Sequence, residues 1–249
     1  MAGHSKWANI KHRKGRQDAL RGKIFTRLAK EITIAARDGG GDPEMNPRLR
    51  LAVKMAKGQS MPNDNIKRAI NKGTGEGGGA AVIEAIFEGY APGGVAVVIE
   101  TMSDNRNRIV SDVRAAISRA GGNLGESGSV LWSFERKGII NIKNDGRSED
   151  DMMEQVMEAG AEDLEYDEEI SRVVCAMNDY GTCTSWFDEN GFEITESQLE
   201  YIPNEPLNLT DVKSAKKVLT FIEKIEEVED VQNVFAGFSI DDSIADELD

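Results

Sequence analysis

The sequence predicts an α+β protein of three domains. The first is all-α and helical, and two α+β domains follow, one of them ferredoxin-like and inserted in the other. Three observations predict it. Charge divides the 249 residues unevenly: residues 1–78 hold 17 Lys/Arg and 7 Asp/Glu, the remainder 13 and 37. The apolar spacing changes from three or four to two after the glycine-rich run Gly73–Gly79. Beyond it, a complete β-α-β-β-α-β pattern lies between the two halves of another α+β pattern. The boundaries follow: a basic helical domain at 1–79, a discontinuous α+β domain at 80–137 and 206–240, the inserted domain at 138–205, and an acidic tail at 241–249.

The first 16 residues, MAGHSKWANIKHRKGR, carry Lys6, Lys11, Arg13, Lys14 and Arg16, with no acid before Asp18. Both histidines of the chain, His4 and His12, lie here, together with Trp7 and Asn9. Cations neutralise phosphates and an exposed indole stacks on a base, so this arm is a candidate nucleic-acid contact. A merely basic terminus is the alternative.

From Asp18 to Asp38 the residues Leu20, Ile24, Leu28, Ile32 and Ala35 recur at helical spacing, and Gly39-Gly40-Gly41 ends the helix. A second helix is expected over Pro47–Lys57, although Leu49, Leu51, Val53 and Met55 stand too close for one stripe. Ser60 is read as the cap of a third, with Pro62 in its first turn and Ile66, Ala69 and Ile70 inward. The loop between them sets Lys57, Met61, Pro62 and Asn63 at a helix start, where free N–H groups favour an anion. A plain capping turn is the alternative. Gly73–Gly79 formally matches G-x-G-x-x-G, but it follows a helix where a dinucleotide site needs a strand, so it reads as a linker.

Strands at Ile83–Tyr90 and Val95–Thr101 flank the turn Ala91-Pro92-Gly93-Gly94 as a hairpin. Asp104 is read as the cap of a helix facing inward through Ile109, Val113, Ala116, Ile117 and Ala120. A strand Ser129–Phe134 follows, alternating Val130, Trp132 and Phe134 on one face. The inserted unit comprises a strand Gly138–Lys143 and a helix opened by a Ser148–Asp151 capping box. Strands Asp163–Tyr166 and Ile170–Met177, a helix through Trp186 and Phe187, and a strand Phe192–Ile202 complete it. A helix over residues 210–226 with the stripe Val212, Ala215, Val218, Leu219, Ile222 and Ile225, then a strand Val231–Phe238, close the outer domain.

Catalytic chemistry finds no foothold. No histidine occurs beyond residue 12, which removes a Ser-His or Cys-His pair from the folded region. Cys175 and Cys183 lack a second pair at zinc spacing, and the acidic runs lack a glycine-punctuated calcium loop. The expectation is a non-enzyme with no catalytic residue, no metal and no cofactor. No apolar run approaches the roughly 20 residues that span a bilayer. With two cysteines and no secretory signal, a reducing cytoplasm is expected and a membrane partner is not. One further segment, Ser103-Asp104-Asn105-Arg106-Asn107-Arg108, packs Asn105, Arg106 and Arg108 at a helix start. Arg grips phosphate bidentately; capping by Asn and pairing of the arginines with nearby acids is the equal alternative.

Four phrases carry a resemblance: AGHSKWANIKHRKGRQDALRGKIFTRLAKEI, MPNDNIKRAINKG, EGYAPGGVAVVIETMSDNRNR and GGNLGESGSVLWSFERKG. They resemble the YebC/PmpR family over essentially the whole chain. The resemblance implies a helical domain followed by two α+β domains, one inserted in the other. It also implies a transcriptional regulator that binds DNA, or alternatively a ribosome-associated translation factor that binds ribosomal RNA or tRNA and eases synthesis of proline-rich stretches. His4, Lys6, Trp7, Lys11, His12, Lys14 and Arg16 fall in its N-terminal motif, Met61, Pro62 and Asn63 in its loop, and Asn105, Arg106 and Arg108 in its arginine-asparagine motif. Asn63 stands where the family often has Lys, which lowers the charge of the loop. A protein-interaction adaptor, with the acidic domains as working surface toward a ribosome or another protein, is a third reading.

Overall fold

The structure is a computed structural model that describes residues 17–76, 82–245 and 247–248. Its N-terminal part is helical and the rest is built on two four-stranded antiparallel sheets. Helices α1 (Gln17–Gly39), α2 (Pro47–Gly58) and α3 (Asn63–Thr74) share one core of Ile32, Ala35, Leu49, Ala52, Val53, Ala56, Met61, Ile66 and Ala69. On α2 the buried stripe is Leu49, Ala52, Val53 and Ala56, spaced i, i+3, i+4, i+7. Alanines complete it, and Leu51 and Met55 are only half-buried. Asn46 joins α1 to α2: its Oδ1 accepts from Leu49 N at 3.1 Å while its Nδ2 donates to Ala35 O at 2.7 Å.

Two expectations here need correction. Ser60 does not cap α3, whose N-cap position is Pro62 with no side-chain hydrogen bond. Ser60 instead has φ 62° and closes α2. Its N–H donates to Lys57 O at 2.9 Å, and Met61 N–H donates to Ala56 O at 2.9 Å, the paired bonds of a Schellman motif with Ser where Gly is usual. Gly73 belongs to α3 rather than to a linker. A Cβ there would stand 2.2 Å from Thr33 O, so glycine lets α3 cross α1 closely.

The first sheet has the order β3-β1-β2-β9, all antiparallel, from β1 (Ile83–Tyr90), β2 (Ala96–Ser103), β3 (Asn123–Leu124) and β9 (Val231–Ala236). The β1–β2 hairpin turns at Gly93 and Gly94, both at positive φ. Helices α4 (Arg106–Arg119) and α7 (Val212–Glu226) cover it, burying Ile109, Val113, Ile117, Phe221, Ile222 and Ile225 against Val95, Val97 and Ile99. The cap of α4 is Asn105, not Asp104. The strand expected at Ser129–Phe134 is a 3₁₀ turn, Leu131–Ser133. Buried Glu88 bends it, accepting N–H groups of Gly128, Val130 and Leu131 at 2.5, 2.9 and 2.8 Å. Burial raises the pKa of that carboxyl, and the three N–H groups outweigh it, so the net direction is down. Val130 and Phe134 are buried but Trp132 is 76% exposed, which the expected alternation would have placed with them.

The second sheet has the order β5-β6-β4-β7, from β4 (Phe134–Lys143), β5 (Asp163–Glu165), β6 (Ile170–Ala176) and β7 (Ile194–Pro203). Helices α5 (Glu149–Glu158) and α6 (Tyr180–Glu189) complete the element order β-α-β-β-α-β. The Ser148–Asp151 capping box is present, and Cys175 and Cys183 are buried free thiols in the core with Ile140, Met152 and Phe187. The final strand expected as one piece breaks at Gly237 into β9 and β10 (Phe238–Ile240), which pairs in parallel with β8 (Leu207–Leu209). The expected acidic tail folds back: the short helix α8 (Asp242–Ala245) buries Ile244 and Ala245 in the core of the first sheet.

Candidate nucleic-acid interface

Burying one stripe of each helix in the helical core turns the basic side chains of α2 and α3 outward. Arg50, Lys54 and Lys57 recur at i, i+4 and i+7 on α2, and Lys67, Arg68 and Lys72 occupy exposed positions of α3. These cations divide by what they touch. Arg48 makes a bidentate pair with Glu31, at 2.7 and 3.1 Å, inside the helical part. Lys54 pairs with Asp188 on α6. Arg68 donates to Asn65 and to Asp64 O. Arg50, Lys57, Lys67 and Lys72 make no ion pair among the described residues and remain open to an external anion.

A second group of cations faces the first sheet. Arg27 donates to Asn233. Arg37 pairs with Glu84 at 2.9 Å and donates to Val82 O at 2.9 Å. Lys30 reaches Asp230 at 3.1 Å. Asp230, 4% exposed, is a hub: Ser103 Oγ donates to it at 2.8 Å and Arg108 Nη2 at 2.9 Å. Burial raises the Asp230 pKa, but the hydrogen bonds from Ser103, Arg108 and Lys30 outweigh it, so the net direction is down.

The expected site residues are therefore not equivalent. His4, Lys6, Trp7, Asn9, Lys11, His12, Arg13, Lys14 and Arg16 lie outside the described residues. In the loop, Lys57, Pro62 and Asn63 are exposed. Met61 is 4% exposed and packs in the helical core, so its part is to hold the loop down; this corrects its place among the contacts. Asp64 in the first turn of α3 meets the positive end of that helix, which weakens the loop as an anion site. Asn105 accepts from Asn107 N and Arg108 N, both at 3.1 Å, as a helix cap. Arg108 is held by Asp230 and Asp104. Of that trio, Arg106 alone is exposed without a hydrogen bond or ion pair among the described residues.

Sequence reading missed Arg50, Lys67 and Lys72. Their outward position was legible once the apolar stripes are removed from each helix, but not that they stay unpaired where Arg48 and Lys54 do not. The Lys30–Asp230–Arg108 hub had no sequence signal, because its members are separated by up to 200 residues. Among the described residues no group of three His, Cys, Asp or Glu converges as metal ligands would, and no helix is long and apolar enough to cross a membrane.

Two family profiles match the chain. The TACO1/YebC protein N-terminal domain matches residues 5–76, and the TACO1/YebC second and third domain matches residues 82–238. A relative from Halothermothrix orenii, named a probable transcriptional regulatory protein, is 46% identical over 250 residues, covering 100% of this chain and 99% of its own. Another of that name, from Desulfotalea psychrophila, is 48% identical over 248 residues, covering 100% and 99%. The crystal structure of a conserved hypothetical protein from Aquifex aeolicus superposes with a TM-score of 0.87 at 43% identity, covering 95% of this chain and 97% of that one.

Proposed function

Because the chain belongs to the TACO1/YebC family, we propose that it is a non-enzymatic transcriptional regulatory protein that binds DNA through its basic N-terminal domain. The relatives' shared name supports the regulatory class. The observation that carries DNA binding is the set of cations that folding leaves unpaired: Arg50, Lys57, Lys67 and Lys72 on the outer faces of α2 and α3. The arm of residues 1–16 adds five more, with Trp7 as a stacking group. In this reading residues 1–79 are the binding domain, and the ferredoxin-like domain at 138–205 is inserted in the domain formed by 80–137 and 206–240. The net negative charge of those domains disfavours phosphate over most of their surface. The protein works in the cytoplasm and needs no metal or cofactor.

The test is binding to a labelled DNA duplex across a salt series. Deleting residues 2–16 should lower the slope of log affinity against log salt by up to about four to five, close to one for each lost phosphate contact. A slope equal to that of the full chain would remove the arm from the interface.

One observation favours a second reading, the adaptor. Lys30, Arg37 and Lys54 neutralise acids of the two sheet-bearing parts of the chain rather than an external partner. That reading predicts negligible DNA affinity at physiological salt.

A further inference from the structure

The acidic two-thirds of the chain conceal a basic face. Residues 79–249 contain 13 Lys/Arg, and eight of them lie on just two helices: Arg106, Arg108, Arg114 and Arg119 on α4, and Lys213, Lys216, Lys217 and Lys224 on α7. The other five are all ion-paired. Arg136 meets Glu100, Lys137 meets Glu135 and Glu162, Lys143 meets Glu193, Arg147 meets Asp145, and Arg172 meets Glu165 and Glu200. Of the eight cations on α4 and α7, only Arg108 forms an ion pair among the described residues.

The four lysines of α7 stand on the side opposite its buried stripe, and all are exposed. Lys213, Lys216, Lys217, Thr220 and Lys224 recur at helical spacing, so they form one ladder about 16 Å long. Helix stability does not account for three of them: Lys213 lies in the first turn, where the macrodipole disfavours a cation, Lys216 and Lys217 lie mid-helix, and Lys224 alone stands in the last turn. Of the acids near them in sequence, Asp211 is occupied as the helix cap through Ser214 N at 2.8 Å, while Glu223 and Glu227 flank Lys224 alone. The ladder is one wall of an open groove of about 830 Å³, with Pro92 and Gly121 on the other side and the capping Asp211 as its one acid.

We propose that this groove is a second DNA-binding surface, a seat for the phosphate backbone of a duplex. The inference rests on the DNA-binding reading above. A duplex strand presents a phosphate charge every 3.4 Å or so along its axis, so a 16 Å ladder faces about five of them. Lysines act as point charges, and no aromatic, Asn or Gln side chain lines the groove to stack on or read a base. The surface therefore positions the duplex without reading its sequence.

The experiment uses the full chain and a fluorescein-labelled, random-sequence DNA duplex, with anisotropy followed over a salt series. The variant K213Q/K216Q/K217Q/K224Q should keep its melting temperature, since all four side chains are exposed. It should lose at least about tenfold in affinity at low salt, with a salt slope lower by about three to four. The K→R variant at the same positions should restore both. A folded glutamine variant with unchanged affinity and slope overturns the groove while leaving the N-terminal reading intact. A wild-type chain that binds no duplex overturns both. Should the four-site variant melt lower, K216Q/K217Q is read instead, with about half the slope change expected. An RNA hairpin of matched length is the second arm: sensitivity to the lysines on RNA alone overturns the assignment to DNA.

Discussion

Asp230 lies on the connection from α7 to β9, yet it collects Ser103, Arg108 and Lys30 from three other parts of the chain. Removing its charge leaves these donors facing a neutral amide. Asp230→Asn should lower the unfolding free energy by about 2 kcal/mol, measured by urea denaturation. It should also speed proteolysis between the helical part and the first sheet. The pH dependence follows from the depressed folded pKa. The hub's contribution is fully present above the unfolded aspartate value of about 3.9, and is lost as pH falls through the lower folded value. The asparagine variant should therefore lose less stability than wild type as pH falls below about 4. Ser60 makes an independent test. An L-residue at φ 62° is strained, so Ser60→Gly should raise stability by about 1 kcal/mol; a neutral or negative change would mean the Schellman closure of α2 is not strained.

At the level of elements, Gly73 separates two physical expectations. In an ordinary exposed helix, Gly→Ala stabilises by about 1 kcal/mol. Here the new Cβ would stand 2.2 Å from Thr33 O and 2.8 Å from Ala36 Cβ. Gly73→Ala should therefore destabilise, by about 1–3 kcal/mol, and a melting temperature above wild type would refute the close α1–α3 crossing. The same position marks how far the sequence could be read. Helices with periodic apolar stripes, such as α4 and α7, were legible because one face alone is buried, and the β1–β2 hairpin because two apolar runs flank a Pro-Gly-Gly turn. The capping box of α5 was legible because Ser148 and Asp151 act within one turn. Ser60, Gly73 and the turn at Leu131–Ser133 were misread because each is set by a partner remote in sequence or by a left-handed backbone. Glu88, about 40 residues before the turn it bends, gives no local signal. The candidate site was legible in composition, since the basic third of the chain is plain. Which cations remain free was not, because Lys30, Arg37, Lys54 and Arg108 find their acids only in the folded chain.

Across the whole molecule, charge is arranged in layers. The helical part carries cations on both sides. Lys30 and Arg37 fasten it to the first sheet and Lys54 to α6, while Arg50, Lys57, Lys67 and Lys72 stay outward. The acidic surface of the second sheet's domain leaves phosphate few other places to settle. This arrangement supports the proposed DNA-binding role over that of an adaptor whose charges satisfy one another. Crosslinking in living cells, followed by sequencing of both the bound DNA and the bound RNA, tests that claim most directly. Enrichment of promoter fragments, lost when residues 2–16 are deleted, is the predicted result. Peaks confined to ribosomal RNA or tRNA, with promoter DNA at background, would contradict it and move the site of action to the ribosome.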